Sequence, residues 1–146
     1  MASIAKTVEK TIQWLSELAE ELGRPGDQQY AYRVLRGFLH TLRDRLTVEE
    51  AAHLGAQLPE LLRGIYYEGW RPSTTPASYH DARTFLAHIR RESVLAGETE
   101  AAYATTAAAT VLRRHVSAGE LDDVVASLPR HVAELLTASG TSPTAS

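Results

Sequence analysis

Two short stretches place side chains at spacings that metal chemistry uses. Glu50-Ala-Ala-His53 sets a carboxylate and an imidazole one helical turn apart, as in di-iron helical bundles. Such centres need a second pair and further inward carboxylates. The stretch seventy residues later reads Glu120-Leu-Asp-Asp123, without a histidine. Both glutamates also have a structural use. Thr47-Val-Glu-Glu50 and Ser117-Ala-Gly-Glu120 match the capping box, in which the hydroxyl accepts a backbone N–H and the glutamate reaches back to the cap's own amide. Thr47, Glu50, Ser117 and Glu120 are therefore expected to start helices near residues 48 and 118, and no metal or cofactor is expected.

The remaining chemistry is sparse. His40, His80, His88, His115 and His131 form no His-x-x-x-His pair, and there is no Gly-x-Ser-x-Gly turn and no glycine-rich phosphate loop. Cysteine is absent, which removes thiolate nucleophiles, disulfides and cysteine metal sites, and fits a reducing cytoplasm. No catalytic residue is assigned, and the expectation is that the protein is not an enzyme. Two groups could bind partners. Arg33, Arg36, His40 and Arg43 fall within about 80° of helical arc, a stripe that a phosphate backbone would fit. Tyr66, Tyr67 and Trp70 cluster at a helix end, with Tyr79 across a short linker, and such aromatics supply area and a polar tip to an interface. Against the second reading, Gly69 is expected to be a left-handed cap that folds Trp70 back as a staple between two halves, largely buried.

The elements that position these residues repeat. Sliding the chain by seventy residues aligns Ala31–Tyr66 with Ala101–Leu136, matching Leu42 with Leu112, Arg43 with Arg113, and Pro59 with Pro129. Apolar residues at helical spacing (Ala31, Val34, Leu35, Phe38, Leu39, Leu42, Leu46) lead into the capped helix. Within that helix Pro59 and Pro129 each follow a leucine, lack an amide hydrogen and clash with the preceding turn, so a kink or break is expected there. Ile4, Val8, Ile12, Leu15, Leu18 and Leu22 define an opening helix ending near Gly23. Its counterpart runs from about Asp81 to Val94, with Ser78 and Asp81 as a weaker capping box.

The expected fold is all-α: one domain over residues 1–137, built as two related three-helix units, each with a Leu-Pro kinked last helix. Unit one covers 4–68, a linker 69–80 and unit two 81–137, and the tail 138–146 is expected to be disordered. A chain of 146 residues with 44% apolar and 23% charged composition can bury one sizeable core. No apolar run approaches a membrane span, and the N-terminus has acids among its lysines and no signal-peptide core. The formal charge of −3 supplies no general attraction to nucleic acid or anionic lipid.

The stretches RVLRGFLHTLRDRL, TVEEAAHLGAQLPELLRGIYYEGW and SAGELDDVVASLP resemble the uncharacterised bacterial family called domain of unknown function 2267, over about residues 5 to 137. The second unit departs slightly, with Ser127 where the first has Gln57. The resemblance implies an all-helical protein with two related halves and brings no activity or cofactor. The leading expectation is a non-catalytic interaction module or small scaffold of the bacterial cytoplasm, binding a protein partner or itself. One alternative is a nucleic-acid-binding regulator using Arg33, Arg36 and Arg43; another is a small-ligand or metal-binding helical protein.

Overall fold

The computed structural model describes residues 2–138, all-helical with no strand among them. From residue 139 on, the expected tail lies outside the described residues. Among the described residues eight α-helices follow in order: α1 Ala2–Glu21, α2 Gln28–Arg45, α3 Val48–Ala56, α4 Glu60–Tyr67, α5 Ala82–Ser93, α6 Glu98–His115, α7 Ala118–Ser127 and α8 Arg130–Thr137. A single 3₁₀ turn, Pro72–Thr74, sits in the linker.

Polar side chains start four of these eight helices. Asp27 caps α2 by accepting from the Tyr30 amide, and Asp81 caps α5 by accepting from that of Thr84. Asp81 thus takes the cap position expected of Ser78, and its carboxylate also accepts from the Thr84 hydroxyl. Each such cap satisfies one of the backbone donors that a helix start leaves unpaired.

Both prolines break the chain instead of kinking it. Pro59 and Pro129 adopt nearly the same extended geometry, φ −55° with ψ 146° and 145°, and each is the N-cap of a new helix. Their carbonyls accept the first helical bonds of α4 and α8, from Arg63 and Ala133. In place of each expected kinked last helix stand two helices, α3 with α4 and α7 with α8. The reason lies in two adjacent restrictions: proline removes a donor, and its ring drives the preceding leucine out of helical dihedrals. After the break α4 folds back on α3, and the Tyr66 hydroxyl donates to the Ala51 carbonyl at 2.7 Å.

The centre of the bundle is α1, α2, α5 and α6, which pack on one another across the two units. Trp14 and Leu18 of α1, Val34, Phe38 and Leu42 of α2, Phe85 and Ile89 of α5, and Val111 of α6 are buried in one continuous core. Because α6 touches four other helices, its buried faces are mostly alanine. At Gly37, α2 and α5 approach closely: a methyl group there would lie 2.0 Å from Ser93 Oγ and 2.8 Å from the Ser93 backbone nitrogen. At the end of α4, Gly69 takes φ +75°, the left-handed cap that lets the Trp70 amide return to the Tyr67 carbonyl. Among the described residues no helix is long and apolar enough to cross a membrane.

Candidate functional site

The two capped helix starts meet. The backbone half of each box forms, with Glu50 N donating to Thr47 Oγ1 and Glu120 N to Ser117 Oγ, both at 3.1 Å. The return arm does not. The carboxyl groups of Glu50 and Glu120 turn toward each other where α3 packs on α7. Burial, a hydrogen bond to Glu50 and repulsion from Glu50 and Asp123 push the Glu120 carboxyl up to about 7. With both groups ionised, Oε2 of each is shut off from water and has no donor. A proton on Glu120 supplies one. The seam is fastened further by Gln57, whose Oε1 accepts from the Ser117 amide at 2.9 Å.

His53 joins this pair one turn along α3. One ligand atom from each of Glu50, His53 and Glu120 lies within 4.8 Å of the others, with His53 exposed and the glutamates partly buried. Two carboxylate oxygens and one imidazole nitrogen make a donor set for a divalent cation such as Zn²⁺ or Mn²⁺, with coordination positions left open. This corrects the argument that set Glu50 aside as the far arm of a capping box. A local pattern accounted for the glutamate fully, so nothing in it signalled a partner seventy residues away.

The arginine stripe is corrected too. His40 and Arg43 are buried, and both close the end of α4: the His40 ring pairs with the Ile65 carbonyl at 2.7 Å, and Arg43 Nη1 donates to those of Tyr66 and Glu68 at 2.7 and 2.9 Å. Burial, followed by the nearby arginines, lowers the His40 pKa against the opposing pull of its carbonyl bond. Arg36 is paired with Glu68 at 2.7 Å, and exposed Arg33 donates to the Ser93 carbonyl. Helical angle places these residues on the side away from the apolar face, but their acceptors come from the ends of two other helices, α4 and α5. Arg113 performs the matching task at the other end, donating to the Leu136 carbonyl at 2.7 Å.

The aromatics divide. Tyr66 is wholly buried, so it belongs to the core and not to a binding surface. Tyr67 is half-buried, edge-on to Tyr66 and 5.2 Å from Trp70. Trp70 packs against the core at its edge, laid on Tyr67 by the Gly69 reversal, and its indole Nε1 is shut off from water without a partner among the described residues. Tyr79, also half-buried, stacks on His88 with ring centres 5.1 Å apart and lines a cleft between α2 and α5.

A family model described as an uncharacterized conserved protein (DUF2267) matches residues 11–135. The chain belongs to this family. The DUF2267 match takes in both Leu-Pro breaks, both N-capped helices and the Glu50–Glu120 seam, and its description states no activity. Among curated proteins none matches the chain.

Proposed function

We propose that this DUF2267 protein is a non-catalytic interaction module of the cytoplasm, made of two related helical units, that docks a protein partner or a second copy of itself through the outer side of α1. The observation that carries this reading is an apolar row the core does not use. Ile4, Val8 and Ile12 follow at four-residue intervals and are 70%, 40% and 45% exposed. Leu61, 44% exposed, joins their edge, since its amide donates to Thr7 Oγ1 at 2.9 Å. Single exposed apolar residues are ordinary, whereas neighbouring ones on one helix edge mark a contact surface. The test is light scattering and cross-linking of the parent and of Ile4→Asp/Ile12→Asp, whose positions in water leave the fold intact. The reading predicts that the double variant loses an association the parent shows. Equal behaviour of the two proteins would sink it.

A second reading, divalent-cation binding, is favoured by the meeting of Glu50, His53 and Glu120. Calorimetric titration of ZnCl₂ into the parent and into Glu120→Gln tests it, with heat of binding expected only from the parent. The nucleic-acid reading is not proposed, because Arg43 and His40 are spent on the end of α4.

A further inference from the structure

A cleft of about 230 Å³ lies between α2, the linker and α5. From α2 come Thr41 and Asp44, one turn apart; from α5 come His88, Arg91 and Glu92; the linker adds Tyr79. The walls are pinned. The Asp44 carbonyl accepts from the Ala77 amide at 2.8 Å, and its carboxylate accepts from Arg43 Nε at 2.8 Å. Arg91 Nη2 donates to His88 Nδ1 at 2.6 Å, which leaves the imidazole proton on Nε2. Burial and then the Arg91 charge lower the His88 pKa, keeping the ring neutral at pH 7.

Thr41 is the unusual wall residue. It is 4% exposed, and its hydroxyl has no hydrogen-bond partner among the described residues. Thr11, Thr105 and Thr110 each donate to a carbonyl one turn earlier, as helical threonines usually do. Because the Thr41 hydroxyl makes no bond among the described residues, it has a donor and an acceptor to give to an occupant of the cleft that Thr41 lines.

Size and charge narrow the occupant. Pockets for drug-sized ligands and cofactors run to about 300–1,000 Å³, so this cleft is too small for a nucleotide or flavin. Two carboxylates, one guanidinium and a neutral imidazole line it. A simple anion would face Asp44 and Glu92, and a simple cation would face Arg91. We propose that the cleft binds an amino-acid-sized zwitterion, its ammonium group between Asp44 and Glu92 and its carboxylate on Arg91 and the Nε2–H of His88. The pair that the ligand would replace, Arg91 with Glu92 at 3.5 Å, is 66% and 37% exposed, and such surface pairs contribute little. The Thr41 hydroxyl then gains the partner it lacks. This site is separate from the outer face of α1 and from the Glu50–Glu120 seam.

The experiment is an NMR titration of the intact protein with L-threonine, with methylammonium and with acetate, following the amides of Thr41, Tyr79 and His88. Saturable shifts are expected with threonine, and binding at least about tenfold weaker with either single-charge probe. Arg91→Gln, at an exposed position, should keep the helical spectrum and lose about tenfold in affinity. Thr41→Val should weaken binding without lowering the melting temperature. Equal binding of acetate or methylammonium, undiminished binding by Arg91→Gln, or no saturation below about 10 mM would each overturn the proposal.

Discussion

Glu50 and Glu120, seventy residues apart in the chain, face each other carboxyl to carboxyl where α3 packs on α7. In the fold Glu120 holds its proton up to about pH 7, against an ordinary value of 4.5. The folded state therefore binds the proton more tightly than the unfolded chain. Stability from this group is full at low pH, falls as pH rises through the interval between those values, and levels off above about 7. Other carboxylates shift the opposite way, Glu100 by its bond from Tyr30 and Glu17 by its bonds to His115 and neighbours, so the parent's curve alone does not isolate the effect. Thermal melts of parent and Glu120→Gln should diverge as pH rises from about 5 to 8, with the variant the more stable at the alkaline end.

A cation at the seam would compete with that proton. Zinc should raise the parent's melting temperature more at pH 8 than at pH 6, since its carboxylate ligands must be ionised. His53→Ala should weaken binding by about tenfold, and Glu120→Gln should remove it. Stabilisation that is independent of pH and survives in Glu120→Gln would place the metal elsewhere.

Gly37→Ala pits helix propensity against space. Alanine favours a helix interior by about 1 kcal/mol, but overpacking a tight contact costs about 1–3 kcal/mol. Here the added methyl would collide with backbone as well as side chain of Ser93, so trimming Ser93 cannot relieve it. Net destabilisation is expected by denaturant titration. Gly64→Ala on α4, where nothing lies within 4 Å, serves as the contrast and should stabilise by about 0.5–1 kcal/mol.

Arg43→Met should cost about 2–4 kcal/mol, because it keeps the apolar stem and strips the buried Tyr66 carbonyl and the part-buried Glu68 carbonyl of their donor. Hydrogen exchange should rise first at the end of α4. Arg36→Ala, which breaks a partly exposed pair with Glu68, should cost no more than about 1 kcal/mol.

Local signals were the readable ones. Thr47 and Ser117 announce helix starts, Leu-Pro announces a break, and Gly69 announces a left-handed reversal, because each depends only on residues within one turn. What they left undecided was global. Ile4, Val8 and Ile12 carry the same spacing as Leu18 and Leu22, yet the former stay in water, since periodicity marks a face without saying how far the bundle reaches along it. Arg43 looked like a surface cation because its acceptors, at the end of α4, are reached only after the chain breaks at Pro59 and doubles back. The Glu50–Glu120 meeting was hidden for a related reason: a complete local explanation left no unexplained charge to follow.

The interlock of the central helices has a practical side. Because α2 lies chiefly on α5, and α1 reaches α6 as well as α2, neither half keeps its own core to itself. Arg71, Pro72, Ser73 and Thr74 are exposed, so cutting the chain there would sever no buried backbone. The two pieces would each bare the faces of Phe38 or Phe85 and recover them on mixing. Reassembly of such pieces would be driven by α2 finding α5.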